Sequence, residues 1–379
     1  MRVVHIITGL ATGGAERALY NLLQGGLSSK FDSHVISLSD EGTMGPQIEA
    51  LGVPVITMGL AAGRPTIGSL LKLRKIIKTL RPDLIQGWMY HGNLAAIIAR
   101  FFALNKTVLI WNIRHSLYGL ASEKRLTRLV IRANRFFSAS ADALLYNSQL
   151  SRQQHEAFGF VENKGRVIPN GIDLQQFCFL QDARERVRSE LAISTEALIV
   201  GHVARLHPMK DHSSFLQAAV TIALRYPSTH FVLSGRDVCL TNVSLKKKIP
   251  IALQPRFHLL GERSDVADLM SAMDVFCQSS WSEAFPNVLG EAMAVSMPCV
   301  ATDVGDSSLI IGDCGVVVAP RDQAALTAAI ESLLELPAIE RRLLGEKARR
   351  RIEDKFTLGK IVEKYSTLYK ISIIEKSKN

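Results

Sequence analysis

Short runs of β-branched and other apolar residues alternate along the chain with longer stretches of helical periodicity. The first apolar run, residues 3–7, leads into a glycine-rich turn and then into a helical pattern, and this order recurs several times. Strands separated by helix-length segments, such as the helix expected at 67–80, predict parallel sheets with helices on both faces. The strands predicted in the first half are residues 3–7, 34–38, 54–58, 84–87, 108–113, 143–146 and 166–168.

A more polar and loosely patterned stretch, residues 171–195, interrupts this order before it begins again. The strands predicted after it are residues 198–203, 230–233, 257–260, 275–278, 299–301 and 315–318. A chain of 379 residues is longer than one core usually supports, so two domains are expected. We predict an α/β protein with two doubly wound, Rossmann-like domains, whose ligands lie in the cleft that the domains face, beyond the carboxyl ends of the strands.

Basic residues are concentrated in one part of the first half. Residues 64–135 contain 14 basic and two acidic residues, a charge of +12 in a chain whose net charge is +10. Helical spacing predicts two basic rows, which are Arg125, Arg128, Arg132 and Arg135 on one helix and Lys72, Lys75 and Lys78 on another. The apolar residues predicted on the opposite face of the first helix are Leu126, Leu129, Val130, Ala133 and Phe137. Such rows are typical of solvated helix faces or of a surface that rests on an anionic membrane, and no nucleic-acid-binding motif accompanies them.

The sequence favours neither a metal site nor a membrane span. The five cysteines form no C-x-x-C pair, and no D-x-D, H-E-x-x-H or other ligand spacing is present, so no metal and no cofactor are predicted. No apolar run reaches the ~20 residues of a spanning helix, and the N-terminal apolar run is better interpreted as a core strand than as a signal peptide. A cytoplasmic protein is expected.

Two segments that follow predicted strands suit the binding of an anion. Gly13 and Gly14 lie between the first strand and the first helix, where the backbone can approach a phosphate and the helix start offers N–H groups. Arg205 and Lys210 hold the corresponding place in the second half, where both cations can face one anionic group. Taken singly, the first pattern is as typical of a tight turn, and the second is more typical of a solvated loop.

A third segment combines two carboxylates with a helix start. Pro286 suits the first helical position, Glu283 lies just before the helix, and Glu291 lies one to two turns into it. A carboxylate at an anion-binding helix start is better suited to accept hydroxyl groups of a sugar than to bind a phosphate. The alternative is a capping acid with a surface glutamate.

Together, in this order and at domain-scale spacing, these segments resemble glycosyltransferase family 4, whose members are retaining nucleotide-sugar enzymes of the GT-B fold. The resemblance covers nearly the whole chain. It includes S-E-x-F-P-N-x-x-x-E-A-M-A from Ser282, the I-P-N-G-I-D run at 168–173, and the V-A-T-D-V-G run at 300–305. It implies an acceptor-binding domain at 1–175, a donor-binding domain at 176–355, and a C-terminal helix at 356–379 that crosses back to the first domain.

The resemblance also implies roles for individual residues. Gly13 and Gly14 would bring N–H groups to the donor diphosphate, which Arg205 and Lys210 would neutralise. Glu283 would hold hydroxyls of the transferred sugar, and Glu291 would accept the ribose hydroxyls. N–H groups of Phe285, Asn287 and Val288 would lie around the sugar. Arg263 belongs to a loop that would lie beside the base.

Two histidines compete for the position that the family places against the donor sugar. His91 follows the strand at 84–87 and matches that position, while His115 follows the next strand. We predict His91 as the catalytic histidine, together with Glu283, Arg205 and Lys210.

The sequence therefore predicts a retaining, metal-independent hexosyltransferase. It would move a hexose or N-acetylhexosamine from a UDP- or GDP-linked donor to a lipid-linked or oligosaccharide acceptor in bacterial cell-surface polysaccharide biosynthesis, at the inner face of the cytoplasmic membrane. A dinucleotide-dependent oxidoreductase is one alternative, but it predicts a G-x-G-x-x-G spacing that Gly9, Gly13 and Gly14 do not meet. A non-catalytic nucleotide-sugar binding module is the other, and it would not need Glu283.

Overall fold

The computed structural model describes residues 1–60, 66–103, 106–118 and 125–378. The chain forms two compact units. Unit 1 comprises Met1–Gly171 and Leu358–Asn379, and unit 2 comprises Ile172–Thr357. The chain leaves unit 1 after Gly171, four residues before the domain boundary expected at residue 175. The C-terminal segment from Leu358 belongs to unit 1.

Unit 1 is built on a parallel sheet of seven strands in the order β3-β2-β1-β4-β5-β6-β7. The strands are β1 Arg2–Ile7, β2 Asp32–Ser37, β3 Val55–Thr57, β4 Leu84–Trp88, β5 Val108–Ile113, β6 Ala143–Tyr146 and β7 Gly165–Val167. The helices before the chain leaves unit 1 are α1 Gly14–Leu22, α2 Ser28–Lys30, α3 Gly45–Ala50, α4 Ile67–Leu80, α5 Met89–Phe102, α6 Arg125–Phe137 and α7 Gln149–Ala157.

Both faces of this sheet are buried, as the alternation along β1 shows. Val3 and Ile7 pack into one core layer, whereas Val4 and Ile6 pack into the other. Helices α4, α5 and α6 cover the second of these faces, and α1 covers the first. The predicted α/β class is confirmed for this half of the chain.

Unit 2 repeats the theme with six parallel strands in the order β10-β9-β8-β11-β12-β13. The strands are β8 Leu198–Val203, β9 Thr229–Ser234, β10 Phe257–Leu259, β11 Val275–Gln278, β12 Cys299–Thr302 and β13 Gly315–Val318. Its helices are α8 Gln181–Glu190, α9 His212–Arg225, α10 Val243–Lys246, α11 Val266–Ala272, α12 Asn287–Ala294, α13 Ser307–Ile311, α14 Gln323–Leu334 and α15 Ala338–Lys355. The polar stretch at 171–195 is therefore partly helical.

The chain returns to unit 1 as helix α16, Leu358–Lys378. Its buried residues pack in the same core layer as α1. Two tyrosines of α16 also make polar contacts with the sheet, because Tyr365 accepts a hydrogen bond from Asn112 Nδ2 at 2.9 Å and Tyr369 donates one to Gln86. The helix is thus an integral part of unit 1.

The predicted apolar face of α6 is confirmed only in part, because Val130 packs against the core whereas Leu126, Leu129 and Phe137 are exposed. The buried residues of this helix are Ile131 and Asn134, and Asn134 donates a hydrogen bond to the carbonyl of Tyr90 at 2.9 Å. Leu129, predicted on the opposite face from the arginines, is 60% exposed. The other exposed large apolar residues of α6 are Leu126, Phe136 and Phe137. Because α6 packs through Ile131 and Asn134, its outward surface carries both arginines and large apolar side chains.

None of the helices within the described residues combines the length and the apolar character that a membrane-spanning helix needs.

Candidate active site

The strand order of each sheet reverses once, between β1 and β4 in unit 1 and between β8 and β11 in unit 2. In open parallel sheets, ligands bind beyond the carboxyl ends of the strands at such a switch point. Gly13, Gly14 and His91 follow β1 and β4, whereas Lys210 and Glu283 follow β8 and β11. These predicted residues therefore follow the strands at the switch point of their unit, whereas Arg263 follows β10 at the edge of the second sheet.

In the turn after β1, the Glu16 carboxylate lies beside Gly13, where the sequence predicts a phosphate. Gly13 is the N-cap of α1, and a Cβ added there would collide with the Glu16 carboxylate. The exposed Gly14 has open space at the same position. Burial raises the pKa of the Glu16 carboxyl, although hydrogen bonds from the N–H groups of Glu16 and Ala15 act in the opposite direction. A phosphate at this helix start would have to compete with Glu16.

After β4, a strained turn leads into α5 and positions His91. Met89 has a φ of 60°, an unfavourable value for a residue with a side chain. A Cβ added to Gly92 would collide with the Ile6 carbonyl, so the start of α5 lies directly against β1. His91 is half-buried, and burial lowers the pKa of its imidazole, which favours the neutral form.

His115, the competing histidine, follows β5. Its ring packs edge-on against Tyr90 at a centroid distance of 6.3 Å, and its backbone carbonyl accepts a hydrogen bond from Ser151 at 2.7 Å. These contacts give His115 a packing role in unit 1.

After β8, Arg205 is exposed and Lys210 is half-buried. Lys210 ends a short 3-10 turn, and Asp211 follows with a φ of 48° and caps α9 by accepting a hydrogen bond from the Ser214 N–H at 3.1 Å. As in the turn before His91, the strained backbone position is next to a predicted functional residue.

This loop rests on a pair of buried histidines. His212 Nε2 lies 3.2 Å from the Ala204 carbonyl oxygen, and His202 Nδ1 lies 2.9 Å from the Cys277 carbonyl oxygen. The two rings meet edge to face at 4.8 Å. Burial lowers the pKa of His202 to about 3 and that of His212 to about 4, so both are neutral near pH 7. Among the residues that the structure describes at this turn, Arg205 and Lys210 are therefore the only cations near pH 7.

The structure brings Lys210 and Glu283 into direct contact. Lys210 Nζ lies 2.5 Å from Glu283 Oε1, and the same oxygen accepts a hydrogen bond from Ser280 Oγ at 2.7 Å. The two side chains are 23% and 12% exposed, so the pair is largely shielded from solvent. This pairing was not predicted, although both residues were.

Two further residues tie the segment after β11 to the Arg205–Lys210 loop. Ser279 Oγ lies 3.1 Å from the Lys210 carbonyl oxygen, and the Trp281 indole donates to the Pro208 carbonyl at 2.8 Å. Sequence reasoning missed Ser279, Ser280 and Trp281, because serine and tryptophan before a glutamate form no recognisable pattern.

Helix α12 begins at Asn287, and Pro286 is its N-cap rather than its first residue. Val288 lies in the first turn, where N–H groups have no partner within the helix. Phe285 is buried, with its ring 5.9 Å from that of Phe356, and Glu291 is half-buried one turn into the helix. The first turn of α12 and Glu291 thus lie on the segment that continues from Glu283.

Arg263 is engaged by two carboxylates of unit 2. Its guanidinium pairs with Glu190 at 2.5 Å and with Asp265 at 2.6 Å, and these contacts raise its pKa while lowering the pKa of both carboxyls. A donor contact through this guanidinium would require one ion pair to open.

No cluster of three or more histidine, cysteine, aspartate or glutamate side chains within the described ranges has the arrangement of a metal site.

Comparisons with known proteins cover both units. Residues 12–176 match the model of "Glycosyltransferase Family 4", and residues 197–336 match that of "Glycosyl transferases group 1". The chain is 23% identical over 339 residues to the Escherichia coli UDP-Gal:alpha-D-GlcNAc-diphosphoundecaprenol alpha-1,3-galactosyltransferase, covering 87% of this chain and 85% of that protein. It is 26% identical over 313 residues to the putative glycosyltransferase EpsF of Bacillus subtilis, covering 80% and 79%.

The crystal structure of Anabaena HepE in complex with UDP and glucose superposes with a TM-score of 0.81 at 23% identity, over 97% of this chain and 99% of that one. This likeness shows the predicted GT-B fold. Both matching family models are of glycosyltransferases, which disfavours the oxidoreductase alternative.

Proposed function

Because the chain belongs to glycosyltransferase family 4, we propose that it transfers a hexose or N-acetylhexosamine from a UDP- or GDP-linked donor to a lipid-linked or oligosaccharide acceptor, with retention at the anomeric carbon and without a metal ion. The observation that carries the proposal is the Lys210–Glu283 pair at the switch point of unit 2. In this pair, Lys210 is the cation expected to bind the diphosphate, and Glu283 is the carboxylate expected to bind the sugar. The names of two relatives add support, since one acts on a diphosphoundecaprenol-linked sugar and HepE holds UDP and glucose.

In the proposed mechanism, the donor exchanges one ion pair for another. The diphosphate approaches Arg205 and Lys210, and Lys210 moves from Glu283 to a phosphate oxygen. Glu283 then accepts hydroxyl groups of the sugar, still held by Ser280. Gly13 and Gly14 remain predicted contacts of the diphosphate, and a phosphate there displaces the Glu16 carboxylate.

The chemical step follows from the charge on the leaving group. The bond between the anomeric carbon and the phosphate oxygen breaks, and Arg205 and Lys210 stabilise the negative charge that develops on that oxygen. The acceptor hydroxyl attacks the same face of the sugar and gives its proton to the departing phosphate, so the configuration is retained. A neutral His91 contributes a hydrogen bond to the sugar without adding charge beside the developing oxocarbenium ion.

The acceptor is assigned to unit 1, and the α4–α5–α6 layer is proposed to rest on an anionic membrane surface. These three helices contain nine basic residues and no acidic residue. They cover one face of the sheet, and their exposed apolar side chains include Phe101 at 85% and Phe136 at 79% exposure. Basic residues interspersed with exposed Phe and Leu are typical of helices that lie in the interface of an anionic bilayer.

The donor assignment is tested by thermal unfolding with UDP, GDP and ADP and with their common sugars. A nucleotide at 100 times its dissociation constant should stabilise the protein by ~2.7 kcal/mol. Arg205→Ala should weaken this binding by about 10- to 100-fold, because one charge-assisted contact to the diphosphate is lost.

Arg225→Ala is the matched control. Arg225 is an exposed arginine of the same unit, in the last turn of α9 rather than at its start. The donor assignment would be wrong if no nucleotide stabilised the wild-type protein, or if both variants bound the nucleotide equally well.

A further inference from the structure

Arg114 is a largely enclosed cation whose partners are all neutral. It follows β5, and its guanidinium lies 3.3 Å from the Tyr365 hydroxyl oxygen and 3.5 Å from Asn112 Oδ1. It also donates to Asn170 Oδ1, and its Cζ lies 5.6 Å from the centroid of the Trp88 ring. No carboxylate in the described part of the chain forms an ion pair with it.

The enclosed arginines of unit 2 have a different environment. Arg188 pairs with Asp274 at 2.6 Å, and Arg256 donates to the carbonyls of Ala223 and Tyr226 at the end of α9. A carboxylate, or the carbonyl end of a helix, offsets the charge of each of these arginines. Arg114 has neither.

Burial makes the charge of Arg114 unfavourable, and it lowers the pKa of the guanidinium. Trp88, Asn112 and Tyr365 are almost fully buried, so they form a fixed wall around it. An amide oxygen, a phenol oxygen and an aromatic face offset only part of the desolvation cost of a cation. The remaining imbalance would be offset by an anion from outside the chain.

The place of Arg114 in the fold is that of a ligand residue. It lies at the carboxyl edge of the sheet, after the strand next to β4, whose own turn carries His91. Ligands of open parallel sheets bind at this edge.

We propose that Arg114 binds a phosphate or diphosphate group of the acceptor. The proposal rests on the proposed function, which assigns a lipid-linked acceptor to unit 1. The donor diphosphate is assigned to Lys210, Arg205 and the turn after β1, which is two strands from β5. Arg114 follows β5 and packs over Trp88 of β4, so it is separated in the sheet from the turn after β1, and the proposal treats its anion as a second one.

The test is calorimetric titration of inorganic pyrophosphate into the full-length protein saturated with UDP, which occupies the donor position. The wild-type protein should bind one pyrophosphate. Arg114→Met should weaken this binding by about 10- to 100-fold, because a charge-assisted contact is lost. Arg114→Lys should retain most of it, because the charge remains.

Tyr365→Phe and Asn170→Ala separate charge from packing. Each removes a partner of Arg114 but leaves its charge, so pyrophosphate affinity should change by only a few-fold. In transfer assays with a diphosphate-linked acceptor, Arg114→Met should raise the acceptor KM by at least 10-fold and leave the donor KM unchanged.

Three outcomes would overturn the proposal. They are the absence of pyrophosphate binding to UDP-saturated wild-type protein, an equal loss of binding in Tyr365→Phe and Arg114→Met, and a rise in the donor KM instead of the acceptor KM. The first is measured on the wild-type protein and does not depend on whether a variant folds. Failure of UDP and GDP themselves to bind would count against the proposed function instead.

Discussion

The two units share a doubly wound topology but carry their charge differently. In unit 2, half-buried cations near the carboxyl edge are matched by carboxylates of the same unit, as in Lys210 with Glu283 and Arg263 with Asp265. In unit 1, helices α4, α5 and α6 carry nine basic residues without an acidic one, and Arg114 has only neutral partners among the described residues.

This difference separates two ways of binding an anion. A unit whose cations already have counter-ions binds by exchange, so its affinity depends on local geometry and on which carboxylate is displaced. A unit with uncompensated positive charge attracts anions from a distance, and its binding falls with ionic strength because surface charges are screened within ~8 Å at physiological salt. We therefore expect substitutions in unit 2 to act on chemistry and those in unit 1 on association.

Glu283→Gln should give the largest effect, because it breaks the matched pair in unit 2. It keeps the size of the side chain but removes the charge that would hold the sugar where positive charge develops, so turnover should fall about 100- to 1000-fold. UDP affinity should be equal or higher, because Lys210 no longer has to leave a carboxylate. Steady-state kinetics and calorimetry measure the two quantities.

Glu346→Gln is the matched control for this substitution, since Glu346 is an exposed carboxylate of α15 that pairs with Arg342 at 3.6 Å. Near-normal turnover of Glu283→Gln, or a loss of UDP affinity equal to its loss of turnover, would contradict the exchange of ion pairs.

Neutralising the basic surface of unit 1 should give the next largest effect. Arg125→Gln with Arg132→Gln removes two exposed charges of α6, each worth ~1 kcal/mol at an anionic surface, so vesicle binding should weaken about 30-fold. Sedimentation with phosphatidylglycerol vesicles at low salt measures this. Arg342→Gln with Arg350→Gln makes the same charge change on α15 of unit 2 and should leave binding unchanged.

The apolar side chains of α6 sharpen the same test. Leu129→Ser with Phe136→Ser should reduce the vesicle binding that persists at high salt, because burial of apolar surface is not screened. The control is Leu224→Ser with Ile251→Ser, which changes two residues of unit 2 that are at least as exposed. If wild-type protein ignores anionic vesicles at low salt, α4, α5 and α6 are only solvated faces, and a soluble acceptor becomes the better proposal.

Helices and strands could be predicted where apolar residues recur with the periodicity of a helix or a strand. A helix was expected at 67–80, and α4 has these bounds. Helix α8 could not be predicted, because only Ala183, Val187 and Arg188 are buried in a segment that is otherwise polar. The outward face of α6 could not be predicted either, because helical spacing gives the faces of a helix but not which of them meets the sheet.

The sequence predicted residues of the candidate site but not the contacts between them. Lys210 and Glu283 were singled out separately, and they are 73 positions apart in the chain. They meet because β8 and β11 are neighbours at the point where the strand order reverses. A sequence pattern gives the strands but not this order. The neutral surroundings of Arg114 are likewise a property of packing, since Tyr365 reaches it from α16.

Acid should destabilise unit 2, because His202 and His212 stay neutral in the folded protein at pH values where they bind protons in the unfolded chain. The folded pKa values of His202 and His212, about 3 and about 4, lie below the ordinary value of 6.5. Between these values the unfolded chain binds more protons than the folded one, so stability is full above pH ~6.5 and is lost as pH falls towards 4. Each histidine should contribute up to ~1.4 kcal/mol per pH unit in that range.

Urea unfolding between pH 7 and pH 5 measures this loss. His212→Gln and His202→Gln should each flatten the dependence of the free energy of unfolding on pH, whatever they do to stability at pH 7. A slope as steep as that of the wild-type protein would mean that these imidazoles are not held neutral by burial.

The smallest expected effect is that of removing divalent metal. In the proposed mechanism, Arg205 and Lys210 supply the positive charge at the leaving diphosphate, so a metal ion would add charge to a position already occupied by two cations. EDTA should leave turnover unchanged, and added Mg²⁺ or Mn²⁺ should not raise it. The same assay on Lys210→Ala is the sharper version, because a metal that restored activity only there would identify charge as what the lysine supplies. Loss of wild-type turnover in EDTA, with recovery on adding Mg²⁺, would show that the cations of unit 2 are not sufficient.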